Sequence, residues 1–255
     1  CRLVQAAGSD PDDDVRALVD LSPYSAEDAA GRVDWWIASD VGELASGRAL
    51  SPDHVLGVGG ASRTLAQLTV REPVGRALDL GAGCGIQALH AARHARAVVA
   101  TDISERALRF AAFNAALAGT SVDLARGSML EPVAGERFDL VVSNPPFVIT
   151  PRAAAGQLPR LTYRDGGRAG DDLLRDLVTG VGDVLAPGGV AQLLGNWEHR
   201  RGQDWQDRIG GWLRSSGLDG WVVQREVADP AEYAETWLRD GGLTADRVAV
   251  GWRTS

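Results

Sequence analysis

The sequence predicts an α/β fold, a mostly parallel sheet of seven strands with helices on both faces, preceded by a small β-containing unit. Three observations carry this. From Arg76 onward, short apolar runs alternate with segments of helical period. The first run, Ala77-Leu78-Asp79-Leu80, breaks into the glycine turn Gly81-Ala82-Gly83-Cys84-Gly85 and continues as a helix, the strand–turn–helix order of a parallel crossover. Pro187-Gly188-Gly189 stops a helical stretch just before another apolar run.

The first 50 residues lack that alternation. Residues 15–21 and 35–39 read as two short strands separated by a polar, turn-rich segment, with Asp12-Asp13-Asp14 as a solvated loop. One ring of the Trp35-Trp36 pair is expected to pack on the main domain. The expected division is therefore a small N-terminal β-containing subdomain, 1–50, and a main domain, 51–255. A helix over 62–70 places Leu65, Leu68 and Thr69 on one face. The strands that follow are expected at 76–80, 97–101, 121–125, 138–143, 190–194, 219–225 and near 246–252. Helices are expected between them at 84–94, 104–118, 171–186, 203–216 and 230–239. The connection over 148–170 is long for a compact domain and reads as a lid or a substrate-binding element.

Composition narrows the function. The 255 residues are 45% hydrophobic, ample for one α/β domain with an appendage. No apolar run is long enough to span a bilayer, and no leader segment is recognisable. The chain starts at Cys1 and its one methionine is Met129, so a longer parent protein is expected. The two cysteines, Cys1 and Cys84, make no disulfide framework and fit a reducing cytoplasm. The histidines offer no metal-ligand spacing; His90 and His94, one turn apart, read as a solvated helix face. All positive side chains are arginine, and the net charge is −8. A polyanionic partner would need a compensating basic patch; Arg152, Arg160, Arg164 and Arg168, in the long connection, are the candidate.

Two motifs carry chemistry. The glycine turn after residues 76–80 allows close approach of backbone to a ligand at a helix N-terminus. Its spacing is wrong for the dinucleotide fingerprint, whose third glycine would fall at Ile86, and it has no Gly-Lys-Ser/Thr for a phosphate loop. Asp102 ends the next strand, where it either accepts hydrogen bonds from a ribose diol or serves the start of the following helix. Asn144-Pro145-Pro146-Phe147 follows the apolar run 138–143. Two prolines without N–H groups leave the Asn144 side-chain carbonyl and the Pro145 main-chain carbonyl free to accept from a planar NH2 group, and Phe147 offers a ring to stack on it.

These three runs, Asp79 to Gly85, Thr101-Asp102 and Val141 to Phe147, together resemble the class I S-adenosylmethionine-dependent methyltransferases, in the branch that methylates NH2 nitrogens. The resemblance covers roughly residues 50–225, with the motifs in the family's order. Within the branch, Tyr163 to Arg175, with its Gly166-Gly167 and Asp171-Asp172, is similar to a segment of the release-factor glutamine methyltransferases. The resemblance implies a Rossmann-like sheet and S-adenosyl-L-methionine as cofactor, held by Thr64, Asp79, Gly81, Gly83, Gly85, Asp102, Ile103, Ser128, Met129 and Asn144. It implies catalytic roles for Asn144, Pro145, Pro146 and Phe147, with no metal. There are two departures. Ser128 stands where the family often has a carboxylate for the adenine amine, and Phe147 stands where glutamine methyltransferases have tyrosine. The expected acceptor is a macromolecule, a protein glutamine amide in a cytoplasmic setting, with an RNA or DNA base amine (adenine or guanine) as the alternative.

Overall fold

The computed structural model describes residues 4–6, 15–28, 30–47, 50–149, 170–229, 231–233 and 235. It divides into two units, one of residues 1–145 with 183–194 and one of 146–182 with 195–255.

In the first unit, β1 (Val4–Ala6) pairs with β2 (Val15–Ala17), and β3 (Asp20–Asp28) forms an antiparallel hairpin with β4 (Gly31–Ser39). The stretch expected as a polar turn between two short strands is therefore mostly strand. The composition misled because the hairpin buries only part of itself: Asp20, Ser22 and Asp34 are exposed, while Tyr24, Ile37 and Ala38 are buried. Polar residues on a one-sided hairpin look like loop in sequence. Tyr24, Ile37 and Ala38 form a core with Cys84, Ile86, Leu89, Ala107 and Phe110, and Trp35 packs against it. Trp36 points away and is 56% exposed, so one indole packs, as expected.

A short α1 (Glu43–Ser46) leads to α2 (Gly60–Leu68), which begins two residues before its expected start. Leu65 and Thr69 are buried but Leu68 is exposed, so the helix buries a narrower face than its apolar residues predict. The parallel sheet then follows: β5 (Val74–Leu80), α3 (Ile86–Ala91), β6 (Ala95–Asp102), α4 (Glu105–Leu117), β7 (Asp123–Arg126) and β8 (Phe138–Ser143). β9 (Leu185–Leu193) completes a five-stranded sheet of order β7-β6-β5-β8-β9, parallel throughout. This is a Rossmann-like sheet. Ala77, Val98, Ala100, Leu140 and Val142 pack on Leu65, Ala88 and Ala91 of α2 and α3. On the opposite face Leu78, Leu80, Val99 and Val141 are buried too, which is why these strands read as continuous apolar runs.

Two expectations are corrected. Pro187-Gly188-Gly189 does not stop a helix; it lies inside β9, where the pairing with β8 slips between Phe138 and Leu140. A Cβ at Gly189 would stand 2.8 Å from the Phe138 carbonyl, so glycine there admits the close approach of a bulge. His90 is not on a solvated face. It is 2% exposed, with Nε2 2.8 Å from the Tyr24 hydroxyl beneath the hairpin. Burial lowers its pKa to about 4. The strand expected at 219–225 is not confirmed: among the described residues, 219–229 carry no strand, with Trp221 94% and Val223 67% exposed. A strand exists only by its ladder, and the last expected strand, near 246–252, lies outside the described residues.

The second unit holds α5 (Asp172–Gly180) packed against α6 (Trp205–Ser216). The helix expected to reach 186 ends at Gly180 and tightens into a 3-10 turn, Val181–Val184. Asp171 anchors the pair. Its buried carboxylate accepts from the Glu198 N–H at 2.9 Å and pairs with Arg208 and Arg200. Asp204 caps α6 by accepting from the N–H groups of Gln206 and Asp207. Of the expected helix 230–239, residues 231–233 and 235 are helical. The loop 150–169, the acidic run 12–14 and the four loop arginines lie outside the described residues. No helix of the described residues is long and apolar enough to cross a membrane.

Candidate functional site

The sheet order places a topological switch between β5 and β8. From β5 the chain builds outward through β6 and β7, then returns to lay β8 on the other side of β5. In sheets of this kind the carboxyl ends of the strands beside such a switch are the usual ligand position. The glycine turn follows β5 and Asn144 follows β8. Their strands are in register at Leu80 and Ser143, and the Ser143 hydroxyl donates to the Leu80 carbonyl at 2.7 Å.

The glycine turn is held from beneath. The N–H groups of Gly81 and Ala82 both donate to the Thr101 carbonyl at 2.9 Å, and Gly85 donates to Ala82. Gly81, Gly83 and Gly85 have φ of 72°, 54° and 83°, the left-handed region that favours glycine. They are not equivalent. A Cβ at Gly81 or Gly83 would meet nothing within 4 Å, whereas one at Gly85 would stand 3.0 Å from Ala111 of α4. The first two glycines leave open space beside the backbone; the third lets two helices approach.

The carboxylates build the same turn. Asp79 is buried and accepts from the Ala88 N–H at 2.8 Å, in the first turn of α3. Burial pushes its pKa up to about 7, against that hydrogen bond and with the nearby Asp102 charge adding to the rise. Asp102 accepts from Gly83 N–H at 3.0 Å and Ser104 N–H at 2.8 Å. Burial raises its pKa as well, and those N–H groups oppose the rise. Ser104, not Asp102, caps α4, by accepting from Ala107 N–H. Each Asp102 oxygen keeps a lone pair for a ligand. Ile103, beside it, is 54% exposed. At the end of β7, Gly127 N–H donates to the Asp102 carbonyl, Ser128 is exposed and Met129 takes φ 49°. Sequence and structure thus place these residues along one edge, in the order 127–129, 102–103, 81–85, 144.

Asn144 differs from all of them. Its Nδ2 donates to the Ser62 hydroxyl at 3.2 Å, and its Oδ1 is buried with no hydrogen-bond partner among the described residues. Pro145 is buried beside it, and Pro146 and Phe147, both half-buried, begin the second unit. Thr64, singled out in the sequence as a cofactor contact, is half-buried; Ser62, two residues earlier, makes the contact to Asn144. Gln87 was also missed. It is 5% exposed, and its Nε2 donates to the Ser62 carbonyl at 2.8 Å. The sequence signal was slight, a serine in the first turn of a helix opened by Gly59-Gly60.

Asn114 supports the whole arrangement. Fully buried on α4, it accepts from Ala38 N–H at 2.8 Å and donates to the carbonyls of Ala38 and Cys84 at 2.9 and 2.8 Å. One side chain thus ties the N-terminal hairpin to the glycine turn.

Residues 57–158 match the family described as the methyltransferase small domain. Among curated proteins, the chain is 41% identical over 131 residues to the release factor glutamine methyltransferase of Xylella fastidiosa, covering 48% of this chain and 47% of that protein. It is 32% identical over 190 residues to the ribosomal protein uL3 glutamine methyltransferase of Bradyrhizobium diazoefficiens, covering 71% and 58%. The chain spans about half the length of the curated relatives it matches. A solved structure, the ribosomal protein L11 methylase from Lactobacillus delbrueckii subsp. bulgaricus, aligns at TM-score 0.48 and 25% identity over 70% of this chain and 79% of that one.

Proposed function

We propose that this chain, whose residues 57–158 carry the methyltransferase small domain, is an S-adenosylmethionine-dependent N-methyltransferase acting on a planar NH2 group of a macromolecule, a protein glutamine amide. The observation that carries the reading is the buried Oδ1 of Asn144 at the switch-point edge, without a hydrogen-bond partner among the described residues. An orphaned carbonyl costs the free protein about 1–3 kcal/mol, a cost that an NH2 donor from a ligand offsets.

The residues present fit the cofactor. Gly81 and Gly83 leave room beside their backbone, Asp102 has acceptor capacity for a diol, and Ile103 is an exposed apolar side chain for an adenine face. In this reading Thr64, Asp79, Gly85, Ser128 and Met129 complete the cofactor site, and Pro145, Pro146 and Phe147 complete the acceptor site. S-adenosylmethionine supplies an electrophilic methyl on a sulfonium. What remains for the chain is to aim a poor nucleophile. An amide nitrogen has a delocalised lone pair, and hydrogen bonds from its NH2 to Asn144 Oδ1 and the Pro145 carbonyl strengthen as the nitrogen becomes more positive. They also turn its lone pair toward the methyl. No general base is needed before the bond forms; the proton leaves the more acidic methylated nitrogen afterwards.

Protein is favoured over nucleic acid by the net charge of −8 and by relatives named as glutamine methyltransferases. The translation-linked names of those relatives support a cytoplasmic setting. The hairpin-bearing region 1–50 is read as a subdomain that braces the cofactor side. Tritiated cofactor incubated with the protein and a bacterial release factor, or with bulk RNA, tests the acceptor. Label lost to protease and resistant to nuclease is expected; label only in nuclease-sensitive material overturns the glutamine assignment and leaves N-methylation standing.

A further inference from the structure

We infer that Ser62 is a positioning residue for the acceptor: its hydroxyl holds the Asn144 side-chain amide by the nitrogen end, so that the carbonyl end faces the incoming NH2 group. The inference rests on the N-methyltransferase reading above.

A primary amide presents an acceptor at one end and two donors at the other, on a group that turns about one soft torsion. An NH2 substrate needs the acceptor. If the donor end faced it, two N–H dipoles would oppose each other and the interaction would become repulsive. Something must therefore occupy Nδ2. In the structure that partner is the Ser62 oxygen at 3.2 Å, while Oδ1 has none among the described residues.

The main chain of Ser62 is itself held. It lies in the first turn of α2, and its carbonyl accepts from Nε2 of Gln87 at 2.8 Å. Gln87 is 5% exposed and sits in the first turn of α3, directly behind the glycine turn. The amide orientation is thereby referred to the helix that begins at the cofactor loop, and the two ends of the reaction share one rigid frame. Main-chain geometry alone does not do this, because Asn144 follows the last residue of β8 and its side chain is free to turn.

The test compares Ser62→Ala and Ser62→Thr with the wild type. Alanine suits a first helical turn, so the fold should be kept. Three quantities are read: cofactor affinity by calorimetry, kcat and KM for methyl transfer to a bacterial release factor, and hydrogen exchange of the Asn144 Nδ2 protons by NMR on asparagine-labelled protein, assigned by their loss in Asn144→Ala. Ser62→Ala should keep cofactor affinity, lower kcat by roughly 10–100-fold as a misaligned reacting group does, and speed Nδ2 exchange several-fold. Ser62→Thr, which keeps the hydroxyl, should restore both. Unchanged Nδ2 exchange in Ser62→Ala, unchanged kcat, or failure of threonine to restore them would overturn the inference, as would a parallel loss of cofactor affinity. A wild type inert toward every acceptor, with Nδ2 exchange still faster in Ser62→Ala, supports the hold on the amide and refutes the acceptor reading alone.

Discussion

Asp102 and Asn144 flank the glycine turn from opposite sides, one ending β6 and the other just past β8, yet their side chains are used in opposite ways. Asp102 is filled by the chain's own N–H groups from Gly83 and Ser104. Asn144 has its nitrogen filled and its oxygen buried and empty among the described residues. A side chain satisfied by nearby backbone builds a loop; one left unsatisfied in a buried place stores a cost that a ligand relieves. In the proposed reading the cofactor side of the edge is thus largely prebuilt, and the acceptor side is completed only by its substrate.

The contrast breaks most sharply at Asn144. Asn144→Ala should lower methyl transfer by about 10²–10³-fold, the usual loss for one preorganised partner of the transition state, with cofactor affinity by calorimetry nearly unchanged. Equal damage to both quantities would mean that the two sides are not separable. Asn114→Ala should act on the prebuilt side instead. It removes three buried hydrogen bonds, two to Ala38 of the hairpin and one to Cys84 of the glycine turn, so chemical denaturation should show a loss of about 2–4 kcal/mol, and transfer per folded molecule should change little.

Asp102→Ala should weaken cofactor binding by about 1–3 kcal/mol, through the lost ribose contacts and a slackened Gly83. Unchanged affinity would confine Asp102 to the role its present hydrogen bonds give it. The smallest effect concerns Asp79. Its folded pKa of about 7 lies above the value for a free carboxyl. The stability it contributes is therefore full below about pH 4, where both states hold the proton, and is lost progressively as pH rises from there through about 7. The last part of that loss, between about pH 6 and 8, is about 1 kcal/mol. Asp79→Asn, which can still accept from Ala88, should remove this fall in thermal-denaturation midpoint; an identical pH profile for both proteins would show that Asp79 is ionised throughout.

The parts of the edge differed in how far sequence reached them. β8 was legible to the residue, 138–143, because a strand buried on both faces is an unbroken apolar run ending at a proline turn. The glycine turn was legible because left-handed φ and close approach leave few residue choices. The hairpin β3–β4 was half missed, since its exposed face carries the polar residues of a loop. Pro187 to Gly189 was misassigned because the same residues that end helices also make bulges.

By itself, then, the sequence determined the alternating α/β pattern, the two motifs and their order, since these follow from backbone preferences and periodicity within a short stretch of chain. Tertiary structure alone decided that Gly85 serves packing while Gly81 and Gly83 border open space. It alone decided that Ser62 meets Asn144, and that Asn114 joins hairpin to turn. Each of these depends on groups 26 to 82 residues apart in the chain. A hydrogen bond's partner over such separations is set by how helices pack on the sheet, and no local pattern encodes that.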